Sequence, residues 1–462
     1  MLGDPATLRQ LIGEYGVLRR LEGHTPQSRG QRFNGLIAET LRCWGISATA
    51  NDRSAGEIDV LFAVDGVRYV LEAKWEGDKT DTGKIAKLQK RVRQRLAGTY
   101  GVLLSMSGYS PEALADVKDG ERLEVLLLDH THWEAMLGGL IPPDELLGLV
   151  RDHAAFRGQA YTPITDLFAL SARVPQISFQ APSNLPDGGL VSALPGVHAE
   201  VVLSKIRSGQ LGIACRDNDH LLVTSEDAIL DVDLTARTAE VAVPVTRCER
   251  NPVILGDGAI LFARCNGIGR FHDGKITTIA GALAGNTCLL LNPDGSTWAF
   301  DNGGEPDQEA SLTSLGTQLG DQTRHEIGYP ARSAFTAAWL SAADVLVIGN
   351  NAFKVCSLTG GEQRSHQAPQ SNPMGIVHLG EGVVLTAGNS VSIVETDTRT
   401  WDHREIASLS VSPSVNELAL CPDGTIYLAS YYPTPERGLT FAVIRIQLPA
   451  ELVLDPKESA PE

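Results

Sequence analysis

Between residues 30 and 43 the apolar side chains Phe33, Leu36, Ile37, Thr40 and Leu41 fall at i, i+3, i+4 and i+7. This spacing predicts a helix with one buried stripe. Two short apolar runs follow, IDVLFAV (58–64) and VRYVLEA (67–73), separated by Asp65-Gly66. Asp and Gly tolerate the positive φ of a type I′ turn, so the pair predicts a hairpin with a two-residue loop. Such a loop fixes the register: Val64 opposes Val67, Leu61 opposes Val70, Asp59 opposes Glu72 and Glu57 opposes Lys74. Helical spacing returns in GKIAKLQKRVRQRLAG (83–98), where Ile85, Leu88, Val92 and Leu96 form the buried stripe. An apolar strand near 100–105 comes next, then a helix opened by Ser110-Pro111-Glu112, then a buried strand at 123–129. Helix, hairpin, helix, strand, helix, strand is the order of an α/β fold with a mixed central sheet.

Beyond residue 197 the pattern changes to short β runs. A turn followed by an apolar strand recurs six times, as NDHLLVTS, GDGAILFAR, PDGSTWAFD, AADVLVIGN, GEGVVLTAG and PDGTIYLAS, at intervals of 37 to 49 residues. A more polar strand follows several of them. Short strands in units of roughly 40 residues predict a β-propeller of six blades. The chain therefore divides into a helical segment (1–24), an α/β domain (25–140), a helical extension (141–170), a Pro/Gly/Ser-rich linker (171–197), the propeller (198–450) and a tail (451–462) expected to be disordered.

The hairpin carries the first candidate chemistry. Its register places Asp59, Glu72, Lys74 and Glu57 on one face, and like charges directly opposed across a ladder repel. A hard divalent cation is the natural compensation, because it prefers carboxylate oxygens and keeps waters for chemistry. Lys74 points the same way as Glu72 and could steady a hydrolytic water or a phosphate. The second candidate is the 83–98 segment, which holds Lys84, Lys87, Lys90, Arg91, Arg93 and Arg95 and no acid, although the whole chain has a formal net charge of −17. Such a helix suits contacts with a phosphate backbone, with Lys84, Lys87, Lys90 and Arg91 as the expected DNA-binding residues.

The stretch from about 25 to 137 resembles the Mrr-like restriction endonucleases of the PD-(D/E)xK nuclease superfamily. The resemblance rests on RGQRFNGLIAETLRCWGI, then GEIDV, then LEAKW, which follow that family's helix, acid-ending strand and (E/Q)-x-K strand. It implies a restriction-endonuclease-like fold with Asp59 and Glu72 as ligands of Mg²⁺ or Mn²⁺, Lys74 as the catalytic lysine, and Glu39 as the helical acid beside the metal. Many members carry Glu directly after the helix Phe, and here that position is Asn34. Nucleases of this kind often pair to cut both strands, so a homodimer is an arrangement the resemblance allows.

Charge sharpens the division of labour. Residues 1–170 hold 20 Lys and Arg against 23 Asp and Glu, and the remainder holds 19 against 33, so the acidic propeller is not the expected DNA platform. The seven cysteines are scattered and never spaced C-x-x-C, which fits a reducing cytoplasm and argues against structural zinc. No apolar run reaches membrane-spanning length, and MLGDPATLRQLIGEYG lacks the form of a signal peptide, so a cytoplasmic protein without a membrane partner is expected. The leading expectation is a Mg²⁺-dependent DNA endonuclease in prokaryotic defence, with the propeller sensing a small ligand or docking a protein. A binding scaffold with a vestigial nuclease fold, and a DNA repair nuclease, are the alternatives.

Overall fold

The computed structural model describes the chain apart from residues 1–3, 53–57, 120–122, 181–189, 209–210, 284–286, 303–308, 331–333, 350–351, 360–363, 370–372, 389–391, 410–414, 433–439 and 450–462. Glu57, part of the linker and the tail expected at 451–462 lie outside the described residues.

The N-terminal sheet has five strands in sequential order: β1 (Ala48–Asp52), β2 (Ile58–Val64), β3 (Val67–Lys74), β4 (Thr99–Ser105) and β5 (Val125–Asp129). The first three run antiparallel and β3, β4 and β5 are parallel, so the sheet is mixed as expected. Asp65 and Gly66 adopt φ of 51° and 77°, and the hairpin pairs Val64 with Val67, Leu61 with Val70 and Val60 with Leu71. Helix α1 (Pro5–Arg19) precedes α2 (Pro26–Cys43), which starts ahead of its apolar stripe because Thr25 caps it in a reciprocal pair with Ser28. The basic segment is α3 (Thr82–Arg93), capped by Asp81, and it is followed by α4 (Pro111–Asp119), α5 (His130–Leu137), α6 (Pro143–Arg157) and α7 (Ile164–Ala169).

Alternation along the strands gives the sheet two apolar faces. Val60, Phe62, Leu71, Val102, Leu104, Leu126 and Leu128 pack with α1, α2, α5 and α6. Val70, Leu103, Val125 and Leu127 pack with Ile85, Leu88 and Val92 of α3 and Ala113 and Val117 of α4.

The propeller consists of six four-stranded sheets whose inner strands are Ile213–Cys215, Glu249–Ile254, Thr287–Leu291, Ala334–Trp339, Pro373–Gly380 and Val415–Leu420. Each inner strand neighbours the next, and the last neighbours the first, so the ring closes. The recurring turn-and-strand unit is, in every blade, the step from the inner strand to the second. Closure is built from distant segments. Strand β7 (His198–Arg207) completes blade six by pairing with Thr440–Gln447, and β6 (Leu190–Ala193) adds a fifth strand to blade five. Cys215 at the end of the first inner strand is disulfide-bonded to Cys421, just past the last, across a sequence separation of 206. The scattered cysteine spacing hid this pair.

The two domains share a core. Leu222, Val243, Phe262, Ile276 and Leu319 of the propeller are buried together with Leu11, Tyr15, Trp133, Leu137, Leu140, Ile141 and Phe168. Arg264, fully buried, donates to the Leu140 carbonyl at 2.5 Å, the Glu145 carboxylate at 2.6 Å and the Thr246 carbonyl at 3.0 Å, and its guanidinium sits over Phe168. Gly138 and Gly139 allow this approach: a Cβ on Gly139 would lie 2.8 Å from Asn266 Cβ, and one on Gly138 would lie 2.5 Å from Thr278. The outer edge of blade two, Lys275–Ala280, is covered here, with Ile276 N–H donating to Thr165 Oγ1 at 2.8 Å.

Candidate active site

The site forms beyond the carboxyl ends of the parallel strands, where two connections leave the sheet. One runs from β3 to α3 and the other from β4 to α4. They are tied together by the Thr80 hydroxyl donating to Ser105 Oγ at 2.8 Å, by Ser105 Oγ donating to the Gly108 carbonyl at 2.7 Å, and by Met106 N–H donating to the Lys74 carbonyl at 2.8 Å. Trp75 fixes the end of β3, edge-on to Phe33 at 4.6 Å and beneath the Arg29 guanidinium.

Asp59 is oriented by two donors: Oδ1 accepts from Asn34 Nδ2 at 3.0 Å and Oδ2 from the Ala73 N–H at 2.8 Å. Its carboxylate therefore reaches the peptide directly after Glu72. Glu72 is 3% exposed. One of its oxygens is ion-paired with Arg91, and the other lies 4.0 Å from Lys74 Nζ. The structure thus ties Asp59 to the peptide that follows Glu72 and sets Lys74 and Arg91 beside the Glu72 carboxylate, while the paired hairpin register itself ends at Val60 and Leu71.

Glu39 is held elsewhere. Its carboxylate accepts from Arg32 at 3.0 and 3.2 Å, and Arg32 also grips Glu14. The α2 side chain that touches Asp59 is Asn34, 7% exposed, at the very position where the family pattern carries Glu. Among the expected DNA-binding residues, Lys84 is paired with Glu76 and Arg91 with Glu72, whereas Lys87 and Lys90 are exposed with no ion pair among the described residues. Arg91 sits three residues past the fully buried Leu88, which is the sequence signal that it borders the buried stripe. Gln89 is half-buried on the same helix.

Among the described residues no group of three or more His, Cys, Asp and Glu side chains is placed to hold a metal ion. A two-carboxylate set still fits Mg²⁺, which binds through one or two carboxylates and keeps several waters. Asp59, Glu72 and the intervening Ala73 peptide supply that set.

A mixed sheet with two acids and a lysine at its parallel ends, followed by a basic helix, defines a nuclease-type α/β domain, here joined to a six-bladed β-propeller. Residues 26–137 match the Mrr_cat family model, described as a restriction endonuclease, and this segment is a domain of that family. The propeller lies outside the match. Solved structures similar to the chain include a streptogramin B lyase (14% identity, covering 56% of this chain and 100% of that one, TM-score 0.40). A gluconolactonase from Xanthomonas campestris is similar at 12% identity, covering 60% and 100%, with a TM-score of 0.45. No curated protein matches the chain. Among the described residues no helix is long and apolar enough to cross a membrane.

Proposed function

We propose that the chain is a metal-dependent DNA endonuclease of prokaryotic defence, with the propeller as its sensing or docking part. The observation that carries this reading is the Asp59 carboxylate accepting from the Ala73 N–H, the peptide that lies between Glu72 and Lys74 in the chain, inside a restriction-endonuclease-type domain whose expected substrate is DNA.

Asp59 and Glu72 would hold Mg²⁺ or Mn²⁺, which when bound polarises the scissile phosphate and makes its water a nucleophile at neutral pH. Asn34 and the Ala73 N–H fix the Asp59 carboxylate so that no rotamer search is needed when substrate arrives. Lys74 supplies a positive charge beside Glu72, where it stabilises charge developing on the phosphate oxygens. Arg91 balances Glu72 before substrate binds, and release of this pair frees a carboxylate oxygen for the cation. Lys87 and Lys90 face solvent on α3 and hold the phosphate backbone. Two chains acting together would cut both strands.

The test is cleavage of supercoiled plasmid by the full chain with Mg²⁺, with Mn²⁺ and with chelator. Cleavage is expected only with metal, and Asp59→Ala, Glu72→Ala and Lys74→Ala are each expected to abolish it while the thermal unfolding profile stays cooperative. Parent-like cutting by any of the three overturns the site.

A further inference from the structure

The inner strands of blades two to six surround a cavity of about 520 Å³. Leu289, Ile376 and Val377 give it apolar wall, and Asn251, Cys288, Thr336, Trp339, His378 and Glu417 give it polar wall. Two of these polar groups lack a use within the protein. Among the described residues the Trp339 indole nitrogen and the His378 Nε2 are buried without a hydrogen-bond partner, and Trp339 is 5% exposed. A buried indole N–H left unsatisfied is costly and is normally met by a partner.

The remaining polar wall is rich in donors and carries positive charge behind it. Arg250, 3% exposed, places Nη1 3.2 Å from Cys288 Sγ and 4.0 Å from the Glu417 carboxylate. Burial pushes the Glu417 carboxyl up to about 8, outweighing the pull of Arg250 and Asn251, so at neutral pH it is an O–H donor. Burial also pushes the Cys288 thiol up and lowers His378, leaving both neutral. Asn251 Oδ1 accepts from the Ile213 N–H at 2.8 Å, and its amide side chain hydrogen-bonds the Glu417 carboxyl, which holds that carboxyl in place at the cavity wall.

We propose that the propeller channel binds a small organic oxyanion, a carboxylate or phosphate ester on an apolar body, with the Trp339 indole N–H and the Glu417 carboxyl donating to its oxygens. The proposal supplies a ligand class for the sensing role read above and rests on that role only for its consequence. Binding itself involves no DNA. Because Glu417 donates only when protonated, affinity falls as it ionises. Arg250, Cys288 and His378 are the charged or titratable groups facing it, and none of them loses a proton at mildly alkaline pH.

Calorimetric titration of the full-length protein without DNA tests this, using benzoate, phenyl phosphate and the neutral benzamide. One or both anions are expected to bind at least tenfold more tightly than benzamide, and the stronger of the two identifies the oxyanion. Affinity of the parent is expected to fall about tenfold between about pH 7 and pH 9. Trp339→Phe, which keeps the ring packing and removes the N–H, is expected to weaken binding about fivefold. Glu417→Gln keeps a donor and is expected to remove the pH dependence. No binding of either anion at millimolar concentration, equal binding of benzamide, or two variants that titrate like the parent overturns the proposal. Any of these results leaves the nuclease reading standing, because plasmid cleavage is measured separately.

Discussion

Without the Arg91 guanidinium, the Glu72 carboxylate would sit 3% exposed with only Lys74, 4.0 Å away, to balance it. Removing one partner of a buried pair destabilises strongly, and the partial exposure of Arg91 moderates the effect. Arg91→Ala is therefore expected to cost about 1–3 kcal/mol by urea denaturation, with Arg91→Lys recovering part of it. Asn34 acts through Asp59, so Asn34→Ala is expected to lower kcat/KM by about 10–100-fold, the range typical of residues that orient a ligand, with KM for DNA little changed. A third residue sets a pH limit. Burial raises the Asp129 carboxyl, but contacts with His132, Thr131 and Tyr161 outweigh it and hold the group well below the usual carboxylate range. A folded-state value below the unfolded one means the stabilisation is complete above about pH 4 and is lost as pH falls further. Urea midpoints measured down through this window are expected to drop, and Asp129→Asn is expected to flatten that limb.

At the scale of elements, α3 divides its basic residues between two tasks. Lys84, Arg91 and Arg93 pair with acids, and Lys87 and Lys90 stay exposed, as the proposed DNA contact requires. The double variant Lys87→Ala/Lys90→Ala is expected to reduce the log-log salt slope of DNA binding by about two, whereas Arg91→Ala is expected to leave that slope nearly unchanged. The helix was legible from Ile85, Leu88 and Val92, which mark its face, but the expected stripe ran too far, since α3 ends at Arg93 and Leu96 beyond it is 80% exposed; the hairpin was legible too, because Asp65-Gly66 fixes a register that holds from Val64 to Val60. Strand β1 was not. Its sequence ATAND is short, has Thr49 as its one β-branched residue and no aromatic, and sits at a sheet edge where pairing comes from β2 and not from its own preference. The six blades were visible from their repeated turns, while the partners of Asp59 and Glu72 were not. Asn34 and Arg91 reach the site from separate helices, and sequence spacing measures distance only within an element.

The whole molecule is joined more tightly than a linker alone would join it. No periodicity could announce this, because Arg264 bonds to the carbonyl of Leu140 and the carboxylate of Glu145, more than a hundred residues away. Arg264→Met keeps the apolar stem but leaves those acceptors unmet inside a shared core. It is expected to lower the melting temperature by several degrees and split a single thermal transition into two, as calorimetry would show. If the propeller restrains the nuclease through this joint, the same variant cleaves DNA at least as well as the parent. Cys215→Ser opens the tie between the first and last blades, and a loss of about 2–4 kcal/mol by urea denaturation is expected.

The closure of blade six by β7 also sets a schedule. Strand β7 ends at Arg207 and the strand that completes its sheet begins at Thr440. A ribosome adding about 5–20 residues per second needs roughly 12–47 s to cover that interval. During this time the five-stranded sheet and its acids are already synthesised, and β7 waits unpaired. A polypeptide released anywhere within the interval would carry the whole cutting domain and an open ring.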